Sequence, residues 1–145
     1  MQVKAGRAGA PRIGCMLMHS GTLSEHHRRC DALFAAARQA ASADAPAQLA
    51  SRIAELRDAL LEHFRYEEEH LFPLYEQACG AADGTQWLRA EHDDMRAILW
   101  MLATAATSER ARYCADLAEL QGLFDAHAAD EESRMYPIFE RLLAR

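Results

Sequence analysis

Apolar residues recur at spacings of three and four along most of this chain, the period that lays a single stripe along an α-helix. The first stripe runs Leu23, position 27, Cys30, Phe34 and Ala37. The second runs Leu49, Ile53, Leu56, Leu60, positions 63, 67 and 70, then Leu74. The third runs Leu88, position 92, Met95, Leu99 and Leu102. The fourth runs Tyr113, Leu117, Leu120, Phe124, positions 127 and 131, with Met135 beside the stripe and Ile138 back on it.

Punctuation sets the helix ends. Thr22 or Ser24 is a suitable cap for the first helix, which runs to about residue 43 before Ser-Ala-Asp-Ala-Pro. The second runs from about Pro46 to Cys79 and closes at Gly80, with Pro73 predicting a kink or local break. The third follows Asp83-Gly84-Thr85 and continues to about residue 107. The fourth runs from about Glu109 to the end of the chain, with Pro137 in its last third. Four stripes on short connections predict an all-α fold, an up-down-up-down four-helix bundle over residues 19–145. Residues 1–18, rich in Gly, Ala and Pro, read as a short N-terminal arm.

The stripes are interrupted by ionisable residues: His27, His63, Glu67, His92, His127 and Glu131, with His70 a third interruption in the second helix. An internal repeat underlies the pattern. HFRYEEEHLFPLYE (63–76) and HAADEESRMYPIFE (127–140) share H-x-x-x-E-E-x-x-[LM]-[FY]-P-[LI]-[YF]-E at an offset of 64 residues. HRRCDALF (27–34) matches HDDMRAIL (92–99) at an offset of 65. The chain reads as two similar helical hairpins. Aligning His27 with His92 keeps the apolar positions matched, whereas aligning His26 sets Cys30 against Arg96, so His27 is preferred to His26.

Residues i and i+4 share a helix face, so His63 with Glu67, and His127 with Glu131, reach common points. Burying two carboxylates among imidazoles without partners costs several kcal/mol each. A metal ion accepts all of these groups, and imidazole with carboxylate suits iron, manganese or zinc. Six such ligands exceed one tetrahedral zinc site. With both carboxylates bridging they serve two metals, and two octahedral ions would have positions left for water, an oxo or hydroxo bridge, or a small ligand such as O2, peroxide or NO. Glu68 and Glu132 read as supporting or surface groups, His70 as lining the end of the bundle, His19 and His26 as exposed, and Cys30 as a small core filler. Phe72, Tyr136, Pro73 and Pro137 read as packing and helix shaping.

Composition narrows the partners. The 145 residues fit one domain, and half of them are hydrophobic, enough for a single core. The formal charge is -6 and no Lys/Arg stripe forms, so neither nucleic acid nor an anionic membrane is an expected partner. No apolar run reaches the roughly 18 residues of a membrane helix, and Ile13 to Met18 is too short for a signal sequence. Arg12-Ile-Gly-Cys15 has no hydrophobic segment before it, which argues against a lipoprotein cleavage site. The expected compartment is the cytoplasm. Cys15, Cys30, Cys79 and Cys114 form no C-x-x-C and read as reduced thiols, mostly buried or half-buried.

The motifs H-x-x-x-E-E-x-x-L-F-P and H-x-x-x-E-E-x-x-M-Y-P, with HRRCDALF and EHDDMR, resemble those of the hemerythrin-like (HHE) cation-binding domains, over about residues 20 to 145. The resemblance implies a four-helix bundle holding a non-haem, oxo-bridged di-iron centre. His27, His63, Glu67, His92, His127 and Glu131 would be its ligands, and Glu67 and Glu131 its bridging carboxylates. Two departures stand out. The oxygen carriers of the family have H-x-x-x-H in the third helix, where this chain has Arg96 after His92. Their fourth helix places its carboxylate five residues after the histidine, which here is Glu132, whereas helical phase and the repeat favour Glu131.

The expected function is a di-iron protein that binds or senses O2, peroxide or NO, more a binding protein than an enzyme, with no protein partner indicated. The alternatives are an enzyme-like role in NO or peroxide detoxification or in iron–sulfur centre repair, iron storage, and a helical adaptor whose His and Glu no longer bind metal.

Overall fold

The structure, a computed structural model, describes residues 17–105 and 109–143. Its elements are α1 (Leu17–Ser42), α2 (Pro46–Tyr66), a π-helical turn (Glu67–Leu71), α3 (Phe72–Cys79), α4 (Gln86–Thr104), α5 (Arg110–Arg134) and α6 (Tyr136–Leu143). The fold is an all-α helical bundle, as the periodicity predicts. α1 packs on α2, α4 on α5, α1 on α5 and α2 on α4, which closes a ring of four long helices.

α1 begins at Leu17, ahead of both expected caps, so Thr22 and Ser24 lie inside it. A cap contributes only about 1 kcal/mol, and adding turns to an already nucleated helix outweighs it. At the other end Asp44 takes the left-handed conformation (φ 54°), which Asp tolerates better than most residues, and Pro46 opens α2. Gly80 closes α3 with φ 67°, a geometry without steric cost only for glycine. Thr85 is buried and its hydroxyl donates to Glu76, which ties the loop before α4 to α3.

The π turn changes the helix phase at a critical place. It inserts one residue into the α-helical ladder just before Pro73, which has no N–H to donate. The expected stripe position His70 is therefore exposed and Leu74 only half-buried, while Leu71 and Phe72 take the core. The second hairpin does the same by another route. A turn at Met135 separates α5 from α6, and Met135 and Phe139 are buried in place of Ile138, which is half-buried.

The core falls into two apolar clusters. The larger includes Cys30, Phe34, Leu56, Leu60, Phe64, Met95, Leu99, Leu120 and Phe124. The smaller comprises Leu23, Leu71, Phe72, Leu88, Met135 and Phe139. Burial of each large side chain contributes on the order of 2 kcal/mol. Every long helix crosses between the clusters: α1 and α4 start from the smaller one, α2 and α5 from the larger. His27, His63, Glu67, His92, His127 and Glu131 lie at these crossings and form a polar layer between the two apolar clusters. Among the described residues no helix is long and apolar enough to cross a membrane.

Candidate metal centre

His27, His63, Glu67, His92, His127 and Glu131 are all buried, none more than 5% exposed. They come from four different long segments of the chain and meet in the layer between the two clusters. His27, His63, Glu67 and Glu131 offer ligand atoms within 4.8 Å of one another, and so do Glu67, His92, His127 and Glu131. The two glutamates belong to both groups.

Each carboxylate divides its oxygens between the groups. Glu67 Oε1 lies 2.8 Å from His63 Nε2, and its Oε2 lies 3.0 Å from His92 Nε2 and 3.3 Å from His127 Nε2. Glu131 Oε2 lies 3.3 Å from His27 Nε2, and its Oε1 lies 3.1 Å from His127 Nε2. All four imidazoles thus turn Nε2 towards a carboxylate oxygen. Glu132, by contrast, is exposed and approaches only the outer nitrogen of His27, Nδ1, at 3.5 Å. Helical phase decides between the two glutamates, since residue 131 follows His127 by one turn and residue 132 is rotated off that face.

The outer ring nitrogens have their own partners. His92 Nδ1 donates to Glu68 Oε1 at 2.7 Å, and His127 Nδ1 donates to Glu91 Oε2 at 2.7 Å. Arg96 holds Glu68 in turn, its Nη2 donating to Oε1 at 2.9 Å and Oε2 at 3.0 Å. The imidazole of His92 stacks between Phe64 and Phe72, with ring centroids 4.2 and 5.4 Å away. Arg96 therefore supports His92 through a carboxylate.

Does this layer fit a metal? A carboxylate accepts, so Nδ1 carries the hydrogen in both His92 and His127. In the neutral ring that leaves Nε2 as a bare lone pair. Yet the two Nε2 atoms are 3.0 Å apart and both face Glu67 Oε2. Lone pairs and carboxylate oxygens at such distances repel unless a proton or a metal cation lies among them. Seven buried atoms of the cluster have no hydrogen-bond partner: Nδ1 and Nε2 of His27 and of His63, Glu67 Oε1, and both Glu131 oxygens. Such a set in a core is costly, and metal coordination satisfies it.

The electrostatics agree. Burial opposes the charged form of His127, but the Glu131 and Glu67 carboxylates beside it raise its pKa to about 11. His27 is raised as well, burial again being outweighed by Glu131 and Glu67. Burial alone would raise Glu67; His63, His127 and His92 hold it well below the usual carboxylate range instead. The layer attracts positive charge strongly.

Several expectations change. His26 is half-buried rather than exposed, with its ring 5.8 Å from that of His63 and its Nδ1 buried without a partner. It lies on the face of α1 that meets α2, against His63 and Tyr66. His70 is exposed beside Tyr66 and takes no part in the layer. Cys30 is a buried core filler, as expected, but Cys79 and Cys114 are exposed because neither lies on a stripe. Cys15 and the side chain of His19 lie outside the described residues. Glu91 went unrecognised in the sequence: it directly precedes His92, off the apolar stripe, and the repeat sets His26 rather than an acid opposite it.

No curated protein and no solved structure gives a significant match to the chain. Residues 18–142 match the hemerythrin HHE cation-binding domain, nearly the whole length of the bundle, and the chain belongs to that family.

Proposed function

We propose that the six buried residues hold two iron ions joined by an oxo or hydroxo bridge, and that the protein binds or senses a small diatomic or peroxide ligand there. The observation that carries this reading is the division of Glu67 and of Glu131 between two histidine pairs, the arrangement that two adjacent cations need. Each position offers two imidazoles and two carboxylate oxygens. Zinc in tetrahedral coordination would be filled by these four, whereas six-coordinate iron or manganese would keep positions for an exogenous ligand. Bound iron would supply a Lewis-acidic, redox-active centre at which O2, NO or peroxide is taken up.

The protein's own residues keep that centre dry and fixed. The two apolar clusters exclude water from both ends of the layer, and Phe64, Phe72 and Glu68 immobilise His92. Cys30, the thiol closest in sequence to a proposed ligand, is a poor internal reductant. Burial pushes its pKa up to about 12, so it stays a thiol at neutral pH. The cysteines are widely spaced and form no C-x-x-C, which suits a reducing compartment such as the cytoplasm.

The test is metal analysis with an optical spectrum of protein purified without chelators. Two equivalents of iron and near-ultraviolet absorption that shifts on adding azide support the reading. Less than about half an equivalent of any transition metal, unchanged in His63→Ala and Glu131→Ala, overturns it.

A further inference from the structure

The two halves of the layer are built from repeated ligands but not from repeated supports. In the half formed by His92 and His127, each outer nitrogen donates to a carboxylate at 2.7 Å, Glu68 and Glu91 respectively. Glu68 is only partly exposed and is clamped by Arg96. In the half formed by His27 and His63 the equivalent positions are weaker. The repeat counterpart of Glu68 is Glu132, which is 54% exposed and stands 3.5 Å from His27 Nδ1, without a hydrogen bond. The repeat counterpart of Glu91 is His26. It packs edge-on against His63 and leaves His63 Nδ1 without a hydrogen-bond partner.

A carboxylate on the outer nitrogen fixes the tautomer, aims the inner lone pair and makes the imidazole a better donor, and losing it costs about ten- to a hundred-fold in metal affinity. One half has two such supports at short range and the other has none. We infer that the two metal positions are unequal: the His92/His127 position binds its ion tightly, and the His27/His63 position is the one whose ion exchanges. Ligand count does not create the difference, since each position has two histidines and shares both glutamates. It arises from Glu68, Glu91 and Arg96 on one side against Glu132 and His26 on the other. A small pocket lined by His26, Arg29, Cys30, Ala59 and Glu62 lies on the side of the weaker position.

This assignment rests on the metal-centre reading, and the experiment separates the two. Metal-free protein is titrated with cobalt(II) against a competing chelator, with visible absorption reporting coordination. Two equivalents are expected in two steps, at least about ten-fold apart in affinity. Glu91→Gln weakens the tight step about ten- to a hundred-fold and leaves the weak one in place. His27→Ala removes the weak step and spares the tight one. His26→Glu, which supplies the missing carboxylate, strengthens the weak step and brings the two together. Two equivalents bound in one step with equal affinity overturn the inequality, as does an effect of Glu91→Gln confined to the weak step. No bound cobalt at all overturns the metal-centre reading and this assignment with it.

Discussion

His63 Nε2 lies 2.8 Å from Glu67 Oε1, one helical turn along the same helix, and neither atom makes a hydrogen bond. Both groups belong to the set His27, His63, Glu67 and Glu131, whose ligand atoms all lie within 4.8 Å of one another. Because Glu67 serves both histidine pairs and His63 only one, their removal has different consequences. Glu67→Ala is expected to reduce bound metal from two equivalents to near none, whereas His63→Ala retains about one. Metal analysis of the two variants, each checked for helicity by circular dichroism, measures the difference. Equal losses would show that Glu67 does not bridge.

Glu131 ties stability to binding. Its two oxygens are buried 3.1 Å from His127 Nε2 and 3.3 Å from His27 Nε2, and in metal-free protein they favour the charged form of both histidines. Removing one partner of a buried charge pair leaves the other uncompensated and costs about 3–5 kcal/mol. Metal-free Glu131→Met is therefore expected to melt below metal-free wild type, by about 3 °C per kcal/mol for a chain of this size. With metal present the gap widens, since the variant loses binding free energy. Thermal melts of both proteins with and without chelator give the four values. A metal-free variant more stable than the wild type would contradict the argument.

Phe64 joins core and site. It is fully buried in the larger cluster, stacks on His92 at 4.2 Å, and has the Arg96 guanidinium 5.6 Å from its ring centroid. Phe64→Ala should cost about 3–5 kcal/mol by denaturant unfolding. Phe64→Leu should cost much less and still loosen His92, which would appear as weaker metal binding with a near-normal unfolding midpoint.

Cys30 is set apart from the other described thiols by burial. Desolvation, the largest influence, raises its pKa to about 12, so the fold favours its protonated form. The sign for stability follows: the contribution is complete below the unfolded pKa near 9.0 and is lost as pH rises through about 12. Thiol-specific labelling at pH 8 should modify Cys79 and Cys114, which are exposed, and spare Cys30 until the protein is unfolded. Peptide mass mapping reads the sites, and rapid labelling of native Cys30 would refute its placement.

The stripes were legible because a helix with one buried face imposes a period of 3.6, and residues such as His92 and Glu131 hold that period as strictly as the leucines. The repeat favours His27 over His26, because that choice keeps neighbouring apolar positions aligned, and together with helical phase it favours Glu131 over Glu132. The phase beyond Glu67 was not legible. Pro73 announces a disturbed ladder, but a kink, a break and an inserted residue leave the same mark in sequence, and each implies a different set of buried residues. An uninterrupted α-helix would carry His70 and Leu74 on a face they do not occupy. Glu91 stayed hidden for another reason: its role comes from its approach to His127 on a different helix, which no spacing along one helix encodes.

The π turn itself is open to a direct test. A π turn is an α-helix with one residue too many, and each residue of an α-helix rotates the chain by about 100°. Glu69 is exposed within the turn, so its deletion should convert Glu67–Leu71 to α geometry while keeping His63 and Glu67 on one side, and Leu71 and Phe72 on the other, in their present directions. Deleting exposed Glu55 from the regular part of α2 has the opposite effect, turning Leu49 and Ile53 out of phase with Leu60. The Glu69 deletion is expected to keep its fold and melt within a few degrees of the wild type. The Glu55 deletion should lose several kcal/mol, since two core side chains leave the interior at about 2 kcal/mol each. Parallel thermal melts followed by circular dichroism decide the matter, and a Glu69 deletion as damaging as the Glu55 deletion would show that the extra residue is part of the packing rather than an insertion into it.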